Sequence, residues 1–125
     1  MIVFDTGALV ALERNDRPMW ARLEAAAQAE VPILVPLGAL AQAWRGGPRQ
    51  ALLTRALRYV DRVSFDEVAA AAGELCGRAA TDDVIDASVA LVAARPGVTH
   101  LYTSDPDDLG HLLGVLRTRR KVIRC

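Results

Sequence analysis

The sequence predicts an α/β protein, a three-layer α/β/α sandwich around a central, mainly parallel sheet of four to five strands. Short apolar runs with β-branched or aromatic members recur along the chain and are typical of buried strands. Longer segments with apolar residues at helical spacing separate them, which is the order of βαβ units. At 125 residues and 52% hydrophobic content, residues 1–125 suffice for one domain with a buried core.

The strands are predicted from apolar runs that end at turn or acidic residues. The first is the run Ile-Val-Phe that Asp5 closes. Four more are expected at 31–35, within 60–65, at 99–103 and, as an edge strand, at 121–124.

The helices are predicted between these strands from apolar spacing and capping residues. Asp16 is expected to cap the second helix, with Pro18 in its first turn, and Gly46-Gly47 to end the third. The helices in order are 8–14, the Asp16-capped helix, 36–45, 48–59, 66–78 capped by Asp66, a helix to 94 capped by Thr81 or Asp82, and 105–113.

The chain carries no signal for a membrane or for secretion. No apolar run approaches the roughly 18 residues of a membrane-spanning helix, and no basic segment followed by an apolar stretch begins the chain. The two cysteines, Cys76 and Cys125, lack the spacing of a metal site. We therefore expect a cytoplasmic protein with free thiols and no membrane contact.

The charges are unevenly distributed although the formal net charge is zero. Of 15 basic residues 14 are arginine, and segment 117–124 is strongly basic, whereas acidic residues cluster elsewhere. A basic rim near an acidic pocket suits a polyanion held through metal ions. On charge alone, a solvated surface is the favoured interpretation.

Aspartates follow the predicted strands and begin the predicted helices. Asp5 closes the first strand, Asp83 and Asp86 lie at the start of one helix, and Asp105 follows Thr103-Ser104. Because a parallel α/β sheet has its ligand crevice at the carboxyl ends of its strands, Asp5 and Asp105 are expected to meet there. Converging carboxylates raise one another's pKa unless a cation is bound, and Mg²⁺ prefers such oxygen ligands.

The ordered combination of these motifs resembles PIN-domain proteins, specifically the VapC toxins of type II toxin–antitoxin systems. The resemblance covers essentially the whole chain and implies a PIN-like fold with a Mg²⁺- or Mn²⁺-dependent endoribonuclease activity. It implies that Asp5, Asp83 and Asp105 are catalytic and hold the metal. Asp86, three residues after Asp83 on the same helix face, is a further candidate ligand that we add from the sequence. Gln42 stands where the family has its second acidic residue, a glutamate.

Further residues are expected to support this site. Gln42 offers a neutral oxygen that ligates a metal weakly, and Asp86 is expected to offset the missing charge. Asp108 lies three residues after Asp105, as Asp86 does after Asp83, so each pair shares a helix face. Thr6, Thr103 and Ser104 are expected to orient carboxylates or phosphate, although ordinary capping and strand hydrogen bonds explain them about equally well.

The resemblance also implies partners. These are an RNA substrate, a VapB-type antitoxin whose C-terminal segment covers the acidic groove, a homodimer and a toxin–antitoxin hetero-oligomer. Arg45 and Arg49 are candidate contacts to RNA or antitoxin, with surface solvation equally plausible, and faces 20–29 and 37–45 are candidate partner surfaces. For Trp20 and Trp44, a buried core or interface position is favoured over base stacking.

Three alternatives stay open. Gln42 motivates a degenerate, non-catalytic PIN domain that binds RNA or protein. Asp5 and Asp105 also suit helix N-caps, which would be a purely structural role. Asp107 is expected to be structural as well, as an acidic residue that the helix dipole favours in the first turn. A phosphoacceptor domain is disfavoured because no Asp-x-Asp follows the first strand and Lys121 is the only lysine.

Overall fold

The computed structural model describes all residues, 1–125, and its centre is a five-stranded sheet in which every strand pair is parallel. The predicted α/β class is confirmed, with five strands and no antiparallel pair. The strands lie in the order β3-β2-β1-β4-β5. Their bounds are β1 (Ile2–Phe4), β2 (Ile33–Pro36), β3 (Asp61–Val63), β4 (His100–Thr103) and β5 (Lys121–Arg124).

Seven α-helices flank the sheet. They are α1 (Thr6–Glu13), α2 (Arg17–Gln28), α3 (Leu37–Ala43), α4 (Ala51–Ala56), α5 (Ala69–Ala79), α6 (Val84–Ala93) and α7 (Pro106–Val115). Three single turns of 3₁₀ helix, Pro48–Gln50, Leu57–Tyr59 and Phe65–Glu67, lie between them.

Two predicted helix starts are wrong. The helix expected from Asp66 begins at α5, because Ser64 accepts a hydrogen bond from the Asp66 amide and a 3₁₀ turn forms first. The helix expected to be capped by Thr81 or Asp82 is capped by Asp83, whose carboxylate accepts from the Asp86 amide at 2.9 Å. The predicted helix 48–59 is α4 between two 3₁₀ turns.

Alternating residues of the strands feed two separate cores, one on each face of the sheet. In β1, Ile2 and Phe4 join the core formed with α1, α2 and α4, whereas Val3 joins the core formed with α5, α6 and α7. In β4, Leu101 and Tyr102 divide in the same way. This period of two produces the three-layer α/β/α sandwich that the sequence predicted.

The strand order reverses between β1 and β4. The chain first builds outward from β1 through β2 to β3, then returns to place β4 on the other side of β1. In such sheets the connections on the two sides of the reversal leave in opposite directions, so a crevice forms beyond the carboxyl ends of the two central strands. Asp5 follows β1 at this point, and residues 104 and 105 follow β4.

Two glycines allow the elements around the crevice to approach closely. A Cβ on Gly7, in α1, would lie 2.6 Å from the Ser104 backbone nitrogen and Cβ. A Cβ on Gly38, in α3, would lie 2.8 Å from Cδ1 of Ile85, in the first turn of α6. Bulkier residues would push α1 away from the end of β4, and α3 away from the start of α6.

The two tryptophans differ in exposure. Trp20 is buried, and its indole donates to the Leu12 carbonyl at 3.0 Å. Trp44 is 41% exposed, so a core position is wrong for it. It follows the last residue of α3 and has an extended backbone, and its side chain lines a surface cleft.

Both cysteines are free thiols, and no helix combines the length and the apolar character needed to cross a membrane.

We expect Gly7→Ala to lower the free energy of unfolding by about 1–3 kcal/mol, because its new methyl group meets the Ser104 backbone and forces α1 and β4 apart. Gly110→Ala is the matched control. Gly110 lies inside α7, and a Cβ there has no neighbour within 4 Å, so the change should stabilise the protein by about 0.5–1 kcal/mol. Urea unfolding checks both, and equal stability of the two variants would contradict the close approach.

Candidate functional site

Asp5 is a buried carboxylate held at both oxygens. It is 4% exposed, its Oδ1 accepts from the Thr6 amide at 2.6 Å, and its Oδ2 accepts from the Thr103 hydroxyl at 2.7 Å. The first bond makes Asp5 the N-cap of α1. Asp5 therefore has a structural role, but capping uses only one oxygen and leaves acceptor capacity on both.

Thr103, the last residue of β4, connects the ends of the two central strands. It is fully buried, and its hydroxyl donates to Asp5 while accepting from the Asp105 amide at 3.0 Å. The same oxygen thus fixes the Asp5 carboxylate and the backbone from which Asp105 projects. Its predicted supporting role has a defined geometric basis.

Asp105 occupies the N-cap position of α7, yet its side chain makes no capping hydrogen bond. The side-chain cap that the sequence allowed for Asp105 is therefore absent. Pro106 at the first helical position has no N–H, so the helix start has one unpaired donor fewer. The exposed carboxylate of Asp105 stays available at the crevice.

Asp83 and Asp86 reach the crevice from the first turn of α6. Asp83 is exposed and caps the helix through the Asp86 amide, whereas the Asp86 side chain is half-buried. The close packing of Ile85 on Gly38 brings this turn to the sheet edge.

Carboxylate oxygens of Asp86, Asp105 and Asp108 lie within 4.8 Å of one another. Of the four predicted metal ligands, two belong to this group, while Asp5 and Asp83 lie around it. Asp108, predicted only as a supporting residue, is its third member. The first turns of α6 and α7 thus meet at this group, and Asp5 lies next to it at the end of β1.

Burial raises the pKa values of two carboxyls at the crevice, Asp86 and Asp5. The pKa of Asp86 rises to about 7, mainly by desolvation and then by the charges of Asp83, Asp5 and Asp105. Burial also raises the pKa of Asp5, opposed by the hydrogen bonds from Thr103 and Thr6 and reinforced by the Asp105 charge. These four aspartates therefore share one electrostatic environment.

No basic side chain neutralises this environment. The only salt bridge of the structure joins Arg95 to Glu67 at 2.8 Å, outside the site. Arg124 reaches this end of the sheet, but its guanidinium donates to the Ser104 carbonyl at 3.1 Å instead of to a carboxylate. The negative charge of the crevice has no partner within the chain.

The donor set fits a hard divalent cation. All candidate ligand atoms are oxygens, which suit Mg²⁺ or Mn²⁺ and not softer metals. An octahedral Mg²⁺ at about 2.1 Å holds its ligand oxygens roughly 3–4 Å apart. Oxygens within 4.8 Å of one another need only small side-chain rotations to reach that spacing.

Gln42 makes its side-chain hydrogen bond to Thr6 and not to a carboxylate. Its Oε1 accepts from the Thr6 hydroxyl at 2.8 Å, and the same hydroxyl lies 3.0 Å from the Ala39 carbonyl. No hydrogen bond joins Gln42 to an aspartate. Thr6 therefore links Gln42 to Asp5 only indirectly, through its own backbone amide.

Arg45 and Arg49 are exposed and belong to the loop that follows α3. The Arg45 guanidinium donates to the carbonyls of Trp44 and Ala41, and Arg49 makes no side-chain hydrogen bond. Neither contacts the acidic group.

A cleft of about 410 Å³ is lined by Asp82, Asp83, Asp86 and Asp108, and it also contains His111, which the sequence did not link to the site. His111 lines it from α7, one helical turn after Asp108, and its Nε2 lies 3.4 Å from the Ala79 carbonyl. The i, i+3 spacing of Asp108 and His111 was the signal for this neighbourhood. Gly7 and Gly38, the close-approach positions, carried no comparable signal.

We expect Asp86→Asn to make the metal-free protein more stable at pH 8 by about 1–2 kcal/mol after allowance for solvent screening. The folded-state pKa of Asp86, about 7, lies above its ordinary value of 3.8. The wild-type contribution is therefore present in full below pH 4 and is lost as the pH rises through 7. Asparagine remains neutral and keeps a donor toward Asp83.

The check is urea unfolding in EDTA from pH 4 to pH 8, with the exposed Asp107→Asn as control. The stability difference between Asp86→Asn and wild type should shrink as the pH falls. A difference independent of pH would contradict the shared electrostatic environment.

No protein-family model and no curated protein matches this chain. The crystal structure of PAE2754 from Pyrobaculum aerophilum has a similar fold, with a TM-score of 0.60 over 98% of this chain and 82% of that chain. The two sequences are 19% identical, so the similarity establishes the fold alone.

Proposed function

We propose that this protein is a metal-dependent endoribonuclease that hydrolyses RNA phosphodiester bonds. One observation carries the proposal: several carboxylates converge at the topological switch point of the sheet, and no basic side chain pairs with them. Folding such a group costs free energy, and a divalent cation offsets that cost while providing a site for an anionic substrate.

Asp86, Asp105 and Asp108 would hold the cation, with Asp5 and Asp83 beside it. When bound, Mg²⁺ or Mn²⁺ supplies positive charge toward the scissile phosphate and lowers the pKa of water. Thr103 fixes Asp5 and the Asp105 backbone together. Asp5 has restricted freedom and a raised pKa, so it is suited to orient the attacking water and to accept its proton.

Within this proposal the chain acts as a toxin of the VapC type in the cytoplasm. The resemblance of its motif order to PIN-domain proteins supports this, as does the unpaired acidic crevice. A basic side chain of a VapB-type antitoxin would supply the charge that the crevice lacks. Homodimerisation and a toxin–antitoxin hetero-oligomer belong to the same proposal.

Gln42 favours a second candidate, a degenerate PIN domain that binds RNA or protein without catalysis. Its side chain hydrogen-bonds Thr6 and contributes no charge. Under this alternative the chain binds Mn²⁺ weakly and cleaves nothing.

We expect Asp105→Asn to lower Mg²⁺-dependent cleavage by about 100-fold or more. It is a clean variant because the Asp105 carboxylate makes no capping bond and is exposed, so its loss should leave the fold intact. Asp5→Asn should have the same effect, with a loss of stability because Thr103 and Thr6 bind that carboxylate. Sequencing of RNA ends after expression of each variant provides the measurement, with Asp107→Asn as control.

Cleavage by Asp105→Asn at the wild-type rate would exclude the proposed site. Robust Mn²⁺ binding with no cleavage of any cellular RNA would favour the binding module.

We expect Gln42→Glu to have little effect on Mn²⁺ affinity, because Gln42 contacts Thr6 and not the acidic group. Asp108→Asn should lower the affinity about tenfold or more, because Asp108 is one of the three grouped carboxylates. Calorimetric titration with Mn²⁺ measures both. A large gain in affinity from Gln42→Glu would show that the α3 side of the crevice is part of the metal site.

A further inference from the structure

One stretch of the chain is basic and contains no acidic residue. Residues 31–60 include four arginines, Arg45, Arg49, Arg55 and Arg58, and neither aspartate nor glutamate. Arg55 lies over the Trp20 ring at 5.0 Å and is thereby occupied. Arg45 and Arg49, after α3, therefore have no acidic partner, and neither does the exposed Arg62, which follows the exposed Asp61.

The exposed indole of Trp44 lies next to Arg45 in the chain and shares a cleft with Arg62. It borders a mostly apolar cleft of about 360 Å³, and its N–H makes no hydrogen bond within the protein. Arg62 lies on the wall of the same cleft. The cleft is lined by Leu37, Leu40, Ala41, Trp44, Leu57 and Arg62.

The loop that carries the indole is held by one buried side chain. Gln50 is 3% exposed; its Oε1 accepts from the amides of Arg45 and Gly46 at 2.8 Å each, and its Nε2 donates to the Ala43 carbonyl at 2.7 Å. Gly46 and Gly47 have φ angles of 78° and 90°, which side-chain-bearing residues rarely adopt. The loop is thus fixed before any partner binds, which lowers the entropic cost of binding.

We propose that Trp44 and the surrounding arginines form a platform for a single-stranded segment of RNA. An exposed indole stacks with any base, and guanidinium groups beside it contact the flanking phosphates, which is the chemistry of single-strand binding. The arginines near this cleft lack acidic partners, which favours a polyanion over an apolar protein surface or a second copy of this chain. This inference rests on the proposed ribonuclease function and identifies the form of its substrate.

The platform and the acidic crevice lie on opposite sides of α3. Gln42 faces Thr6 at the crevice, whereas Leu40 and Trp44 face the cleft. A strand of RNA that stacks on Trp44 therefore has to pass across α3 to reach the crevice.

The test is fluorescence anisotropy of a labelled 12-nucleotide single-stranded RNA in EDTA, which separates binding from cleavage. Trp44→Ala should weaken binding about 5- to 100-fold. Tyr59→Ala is the matched control, because Tyr59 is also exposed (52%) but lines a different cleft, and it should bind as wild type does. Arg49→Gln should reduce the slope of log affinity against log salt by about 0.7.

Wild-type affinity in Trp44→Ala would overturn the platform, and so would equal affinity for a 12-base-pair duplex. Loss of dimers in Trp44→Ala by light scattering, with RNA affinity unchanged, would instead identify an interface between copies. The proposed function fails separately: if wild type binds the RNA but never cleaves it with Mg²⁺, the platform stands and the nuclease does not.

Discussion

The hydrogen bond between Thr103 and Asp5 joins the two central strand ends on which the site depends. Burial opposes the ionised form of Asp5, and donors from Thr103 and Thr6 partly offset that opposition. Because the Thr103 hydroxyl also accepts from the Asp105 amide, the start of α7 is set by the same atom. Replacing this hydroxyl would remove one hydrogen bond to the Asp5 carboxylate and one to the backbone at the start of α7. Thr103 therefore sets the geometry of the site although it carries no charge itself.

Around that bond the structure collects charge that it does not neutralise. Asp86 shows the consequence most directly, since desolvation and three neighbouring aspartates raise its pKa to about 7. Two apolar cores, one on each side of the sheet, provide the stabilising free energy that offsets this repulsion and desolvation. Uncompensated negative charge at a switch point of the sheet is typical of a functional site.

The sequence predicted the layers and the strand ends because both depend on local periodicity. The run Ile2-Val3-Phe4 is apolar throughout, and Asp5 and Asp105 follow strands that pair with each other, so their meeting followed from parallel topology. Which carboxylates come closest did not follow. That depends on how α6 and α7 cross, and the crossing is set by packing such as Ile85 against Gly38, for which a single sequence has no signal. The exposure of Trp44 was missed for a related reason, because helical spacing cannot distinguish a buried face from the wall of a cleft.

Helix α3 explains why a neutral residue is compatible with the proposed site. The carboxylate expected at Gln42 is absent, but Asp108 contributes one from α7, on the other side of the crevice, so the number of nearby charges is preserved while their position changes. With Gln42 neutral, α3 carries no acidic side chain, and the loop after it presents only arginines. A polyanion approaching from the α3 side therefore meets positive charge first and the carboxylates last. In the proposed function this polarity favours a strand that enters across Trp44 and ends at the aspartates.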